Sequence, residues 1–333
     1  MVRIATALAA LLLFVAWPAR AEVAEVKIGR QYGITFLPLM VMEHQKLVEK
    51  HAKAAGIEVK VTNPVLGGPS AINDAMISGA AHYVAVGVPA FATLWARTRG
   101  TPNQVIGVSN VTYLNMLMNT RNPRVKSLRD LTDKDRIIMT APKVSLPAII
   151  LQMAAAKEWG FEQFAKFDAL GVGMPHPEGM AAFLSGAQAE ICCHFTSPPF
   201  QNIELQQPGV RTVLSVESVM GGATTGTMLF TTQKFRNENP KVAAAVFAAL
   251  SEAIELVNRD KKQAAEIYLA MAKDKSKPED IVAQLNDPSL RFSLVPLNTM
   301  KYFEFMHRVG SIKVKPDSWK EIFLPDVHNL SGS

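Results

Sequence analysis

The chain has 333 residues, is 48% hydrophobic and 19% charged, and carries a formal net charge of +6. That length gives room for two lobes of ordinary size. Its 35 basic residues are interspersed with 29 acidic ones, and without a dense Lys/Arg block the composition argues against a nucleic-acid partner, leaving a mild positive field that weakly favours anionic solutes.

At the start, Arg3 precedes an apolar run from Ile4 to Trp17, and Ala19-Arg20-Ala21 closes it with small residues where a signal peptidase reads. This is the layout of a secretory signal peptide. The run is short of the ~20 residues a membrane-spanning helix needs, and no cysteine lies near the cleavage point to carry a lipid. The expectation is residues 1–21 as signal peptide, cleavage after Ala21, and an exported periplasmic protein starting at Glu22. Loss of Arg3 and Arg20 takes the formal charge from +6 to +4.

Beyond that point strand-like runs alternate with amphipathic helices, the pattern of an α/β architecture. Val23 to Arg30 reads as a strand and Leu37 to Ala55 as one helix. Glu58 to Asn63 reads as a strand, and Pro69 to Ser78 as a helix with Ile72, Ala75 and Met76 on one face. Strands follow at His82 to Val86 and Gln104 to Asn110. A second set begins with a strand at Arg136 to Thr140. Helices at Ser145 to Trp159 and Pro177 to Ser185 come next, then a strand at Glu190 to Phe195. The last third is mostly helical: Asn239 reads as an N-cap with Pro240 at the first helical position, and Asp260 with Gln263 as a capping box.

One internal echo stands out. Ala75-Met76-Ile77-Ser78-Gly79-Ala80 precedes a strand and then Val88-Pro89-Ala90-Phe91. Ala182-Phe183-Leu184-Ser185-Gly186-Ala187 precedes a strand and then Ser197-Pro198-Pro199-Phe200. In both, the glycine reads as a helix C-cap. Units of this kind resemble one another by chance as well as by common design. If the design is common, two like lobes face each other, with a solute beyond the carboxyl ends of their strands.

These residues carry a family resemblance. Val26-Lys27-Ile28-Gly29, Pro38-Leu39, Gly67-Gly68 and the Ser-Gly-Ala echo are similar to periplasmic solute-binding proteins of the nitrate/sulfonate/taurine ABC-importer class. Lys126-Ser127-Leu128-Arg129-Asp130-Leu131 resembles that family's entry into the second lobe, and Phe235 with Asn239-Pro240 its return to the first. The chain departs from the family where His82 and Glu190 stand in place of Asp, and where Thr132-Asp133-Lys134 replaces a Gly-Lys pair. The resemblance implies a two-lobe periplasmic binding protein fold (type II-like), with mixed central sheets, flanking helices and a hinge. It places lobe one at 22–118 plus 224–333 and lobe two at 119–223. It further implies a monomer that closes on a small molecule and presents itself to a membrane permease and its ATPase.

Candidate ligand contacts lie between strand ends and helix starts, where free backbone N–H groups gather. Gly68 and Ser70 sit at one such start, which an ordinary Gly-Pro turn would equally explain. Ser145 is the counterpart in the second lobe, and N-capping alone accounts for it as well. Tyr32 and Gly33 follow the first strand, the tyrosine able to stack on a planar solute or simply to pack. Gly87, Val88 and Asn110 are read as ending two further strands. His176 opens a helix as a ligand group, a cap or a solvent-facing side chain. Phe195, Thr196 and Ser197 end the second echoed strand, offering an aromatic face and two hydroxyls in one loop, and Thr225 lies where the chain crosses between lobes.

Fifteen methionines are dispersed as core fillers, and no His, Cys and carboxylate set has zinc-like spacing. Neither a metal nor a cofactor is therefore expected. Cys192 and Cys193, adjacent on a strand, should point to opposite faces and a vicinal bridge would be strained, so they read as two small, buried residues, with vicinal redox or metal chemistry as the rival reading. No nucleophile elbow or phosphate loop is present, so the reading is a non-enzymatic binder. The alternative is a pyrimidine-precursor-binding protein or enzyme of the same fold.

Overall fold

The computed structural model describes residues 22–333; the expected signal peptide falls outside them. In chain order the first half runs β1 (Glu25–Gly29), α1 (Leu37–His44), α2 (Leu47–Ala54), β2 (Lys60–Thr62), α3 (Pro69–Ser78), β3 (Tyr83–Val86), α4 (Val88–Thr98) and β4 (Val105–Leu114). Next come β5 (Leu117–Thr120), β6 (Arg136–Met139), α5 (Leu146–Trp159), β7 (Gly171–Gly173), α6 (His176–Ser185), β8 (Ile191–Thr196), α7 (Phe200–Leu205), β9 (Arg211–Ser215) and α8 (Val216–Met220). The last part holds β10 (Thr225–Thr232), α9 (Gln233–Glu238), α10 (Pro240–Arg259), α11 (Lys261–Ala272), α12 (Pro278–Leu285), β11 (Leu290–Phe292) and α13 (Thr299–Arg308).

The strands form two sheets, ordered β11-β4-β10-β3-β1-β2 and β7-β6-β8-β5-β9. The two share one plan. In the first, β1 lies parallel to β2 and β3, and β10 runs antiparallel between β3 and β4. In the second, β6 lies parallel to β7 and β8, and β5 runs antiparallel between β8 and β9. The echoed segments occupy matching places: α3, Gly79 and β3 in one sheet, α6, Gly186 and β8 in the other. Both glycines are left-handed C-caps, with φ of 73° and 69°. The chain passes from the first sheet to the second at Asn115–Met116, ahead of the 118/119 position read from the sequence, and returns at 221–224.

Every residue of β3, β4 and β8 is buried, as expected of central strands covered on both faces. Polar residues in β4 are accommodated by partners. Thr112 Oγ1 donates to the Thr35 carbonyl at 2.6 Å, Asn110 Nδ2 to the Ser293 carbonyl at 2.5 Å, and Tyr113 Oη to the Val295 carbonyl at 2.6 Å. Helix α10 packs on α1, α2 and α11 behind the first sheet, and α5 of the second half touches α4 and α13 of the first.

Three local expectations change. The single helix over 37–55 is two, because Lys46 adopts a left-handed φ of 51° between them. The strand begun near Gln104 does not end at Asn110; pairing with β10, itself unforeseen, carries it to Tyr113, and pairing with β11 to Leu114. Asn239 does not cap α10 with its side chain, which instead accepts from Val23 N at 2.9 Å and donates to the Phe235 carbonyl. The Glu22 carboxylate takes over, accepting from the N–H groups of Lys241 and Val242 at 2.8 and 2.7 Å. A carboxylate there also complements the positive end of the helix.

Candidate functional site

Four helices begin at the interface of the two sheets: α3 after β2, α4 after β3, α5 after β6 and α6 after β7. Each carries proline at its first or second position, where a missing N–H breaks no helical hydrogen bond. Between these helix starts lies a cavity of about 40 Å³. From the first sheet it is lined by Gln31, Thr35, Phe36, Pro69, Gly87, Gly226 and Thr227, and from the second by Thr140, Leu146, Pro147, His176 and Ser197. Leu114 and Met116, flanking the first passage between sheets, complete the wall. None of these side chains is a carboxylate, lysine or arginine.

The two halves approach closely here. A Cβ added at Gly68 would stand 3.1 Å from the Thr140 carbonyl oxygen, and one at Gly87 3.2 Å from Leu146 Cβ. Gly33, at φ +110°, would bring a Cβ within 3.2 Å of the Pro198 carbonyl oxygen. At Gly68 and Gly33 the neighbour is backbone, so a side chain there would press directly on the opposing chain. The cavity has room for about one water, whose share of liquid volume is ~30 Å³. A larger solute enters only when the sheets part.

His176 is the polar side chain with the most developed surroundings. Its Nδ1 bonds Thr196 Oγ1 at 2.9 Å, and its ring stacks on Phe200 with centroids 5.6 Å apart. Burial, with His194 nearby, holds its pKa well below the ordinary 6.5, so the ring meets the cavity uncharged. Beneath it a buried polar chain crosses the second sheet. His194 Nδ1 pairs with Glu204 Oε1 at 2.5 Å, both side chains being wholly inaccessible. Asn119 Nδ2 donates to Glu204 Oε2 at 3.0 Å and to the Gln201 carbonyl at 3.1 Å, and Thr212 Oγ1 donates to Asn119 Oδ1 at 2.9 Å. His194 Nε2 has no partner; it faces Gly179 of α6, where a Cβ would come within 2.8 Å of it.

Of the residues singled out from the sequence, Gly87 and His176 line the cavity. Gly68, Ser145, Thr196 and Thr225 are each next in sequence to a lining residue. Ser145 caps α5, its Oγ accepting from Ala148 N at 3.3 Å, and Thr225 Oγ1 accepts from Leu297 N at 3.0 Å. Gly33 packs against the 197–200 loop, whereas Tyr32 is 42% exposed and lies outside the lining. Ser70 is exposed, since Gly68 and Pro69 take the first positions of α3 and turn its side chain to solvent. Val88 and Phe195 are fully buried in the apolar core. Asn110, read as a strand end, lies mid-strand and is committed to Ser293. Ser197, the second hydroxyl of the echoed loop, also lines the cavity. Gln31, Thr35, Thr140 and Thr227 went unread, and Thr227, on the unforeseen β10, had no signal.

The two cysteines are buried, as read, but they do not point to opposite faces. A register shift between Arg136 and Ile137 makes Cys192 the extra residue of a bulge, and bulges re-aim side chains. Both are buried free thiols with Sγ atoms 2.9 Å apart. The hydrogen bond with Cys193, together with burial, pushes the Cys192 thiol up, which makes it a poor nucleophile. Among the described residues no three His, Cys, Asp or Glu side chains gather where they could hold a metal ion. No helix there is long and apolar enough to cross a membrane.

Solved structures with this architecture include periplasmic binding proteins. The alkanesulfonate-binding protein SsuA from Xanthomonas axonopodis pv. citri, bound to MOPS, aligns with a TM-score of 0.65 at 15% identity, covering 87% of this chain and 92% of its own. The periplasmic aliphatic sulphonate binding protein SsuA from Escherichia coli gives 0.64 at 17% identity, over 91% and 93%. The periplasmic nitrate-binding protein NrtA from Synechocystis PCC 6803 gives 0.60 at 16% identity, over 79% and 70%. At such identities the likeness concerns the fold: two α/β lobes about a cleft. No curated protein matches the sequence significantly. The family model described as NMT1/THI5 like matches residues 53–264, more than half of the chain. The chain belongs to the NMT1/THI5-like family.

Proposed function

We propose that this protein is the exported solute-binding component of an ABC importer, holding a small planar or anionic organic solute in the cleft between its lobes. The observation that carries this reading is the convergence of four helix N-termini, two from each sheet, on one cavity. Each offers backbone donors and partial positive charge to a carboxylate or sulfonate. The ligand residues of this reading are Gly68, Gly87, Ser145, His176, Thr196 and Thr225 or their immediate neighbours. Lobe one spans 22–118 plus 224–333 and lobe two 119–223, give or take the passage residues. Solute binding favours closure, and the closed monomer is what a membrane permease and its ATPase would meet in the periplasm. Catalysis has no part in this reading.

Thermal-shift screening of nitrate, sulfonates, aromatic carboxylates and pyrimidines tests it. A solute that binds only the folded state adds about 2.7 kcal/mol of stability at a hundred times its Kd. No shift with any small solute, together with turnover of one, would move the protein to the enzymes. One observation favours a second reading. An uncharged His176 in a lining without charged side chains suits a neutral heterocycle, so a pyrimidine-precursor-binding protein or enzyme is the alternative. Competition between a neutral pyrimidine and an aromatic carboxylate separates the two.

A further inference from the structure

A second cavity lies at the other end of the same strands. It opens where α3 and α4 end and β3 begins, on the far side of β3 from Gly87, about 13 Å away at ~3.3 Å per strand residue. Its volume is about 640 Å³, within the ~300–1,000 Å³ of small-molecule sites. Leu94, Val105 and Phe235 supply apolar wall, and Ile77 at its edge is 60% exposed, more than any other large hydrophobic side chain among the described residues.

The polar groups around it are few and specific. His82 stacks on Phe235, with centroids 4.6 Å apart and planes 16° from parallel. Its Nδ1 accepts from Lys27 N at 3.2 Å, and burial keeps its pKa below the ordinary value. The ring is thus neutral with its proton on Nε2, a donor on the groove wall. Arg97 and Lys234 stand at the rim, exposed, with no hydrogen-bond or ion-pair partner among the described residues. Glu238 shares the wall but has an interaction of its own. Of the carbonyls that end α3 and α4, four accept backbone hydrogen bonds. Met76 O accepts from Gly79 N, Ala75 O from Ala81 N, Trp95 O from Arg99 N and Thr98 O from Thr101 N.

We propose that this groove is a second binding site, separate from the cleft, for a free small amphiphilic anion: a carboxylate at Arg97, Lys234 and His82 Nε2, with an apolar body on Ile77, Leu94 and Phe235. A burial-driven ligand needs the apolar wall, and two unpaired cations with one neutral donor select its charge.

Octanoate is the probe and octan-1-ol its uncharged comparator, followed by amide hydrogen exchange on the full mature chain. Octanoate is expected to slow exchange over residues 76–82, 97–105 and 232–238, and octan-1-ol to do so far less. The double variant R97A/K234A changes only exposed side chains, so it should fold as the parent does while weakening octanoate about ten-fold, consistent with ~0.5–1 kcal/mol per exposed charge contact. It should leave octan-1-ol and any solute of the cleft unchanged. Protection confined to the cleft loops 67–70 and 195–200 would overturn the proposal. So would equal binding of acid and alcohol, an unaltered affinity in the double variant, or no protection at all. Co-sedimentation with phosphatidylglycerol vesicles in place of binding free octanoate would assign the groove to a membrane instead.

Discussion

Replacing Glu204 with alanine isolates what the buried chain beneath the cleft contributes. The carboxylate pairs with His194 Nδ1 at 2.5 Å and accepts from Asn119 Nδ2 at 3.0 Å. Asn119 keeps its bond to the Gln201 carbonyl when Glu204 is lost. His194 does not: its Nε2 is already unpartnered, so the ring is left buried with neither nitrogen bonded. One stranded polar group costs about 1–3 kcal/mol. Vacating the carboxyl-bearing end of a wholly buried side chain adds a cavity cost, bringing the total to about 3–5 kcal/mol, the range for a buried pair deprived of one partner. Equilibrium unfolding in urea, followed by circular dichroism, reads this directly. The double variant H194F/E204L removes both polar partners in favour of apolar volume and should return to within about 1 kcal/mol of the parent. A loss below about 1 kcal/mol in Glu204→Ala, or full additivity of Glu204→Ala with His194→Ala, would refute the argument, since coupled neighbours deviate from additivity by ~0.5–3 kcal/mol.

Gly179→Ala sets a Cβ 2.8 Å from both His194 Nε2 and Ile138 Cγ2, and should cost about 1–3 kcal/mol by overpacking, visible as a lower Tm. Gly68→Val pushes against the Thr140 carbonyl across the cleft. It should weaken cleft ligands about ten-fold or more, at a similar overpacking cost, and raise the radius of gyration in solution scattering; unchanged affinity would remove the cleft as the site. His176 has a folded-state pKa below 6.5, so its contribution to stability is complete above 6.5 and is lost as pH falls through the folded value, where the unfolded chain binds a proton the folded one refuses. Urea unfolding at about pH 7.5 and about pH 5.5 should show a drop that His176→Asn reduces; an equal drop in both proteins would mean that His176 does not titrate as argued.

Much of this architecture was legible because it is written in local chemistry. Gly-Pro before α3, Ser-Leu-Pro before α5 and Pro-His-Pro before α6 announce helix starts, and Gly79 and Gly186 announce ends, so the neighbourhood of the cleft could be found. Which side chains face it could not. The local signal marks the residue where the chain turns, whereas the wall is built by the next residue along: Pro69 beside Gly68 and Leu146 beside Ser145. Phe195, still inside β8, is buried in the core, whereas Ser197 lies just past the strand end, where the chain turns to the cavity. Thr35 and Met116 reach the wall through tertiary placement alone. The His194–Glu204 pair joins a strand to a helix ten residues on and has no pattern of its own. The strand β10 escaped notice because its threonines and Gly226 resemble a loop, while its partners β3 and β4 lie far back in the chain.

That position of β10 has a consequence for how the molecule comes into being. β3 and β4 do not touch as sheet neighbours; β10 is wedged between them, and seven of its eight residues are buried there. During synthesis the first sheet therefore stands open, with two unpaired edges, until the whole of the second sheet has been made. Non-local pairing of this kind is slow to form. A nascent chain therefore cannot close its larger half before residue 232 has been made. A fragment stopped at residue 224 should never acquire that closure, and should aggregate through the two bare edges.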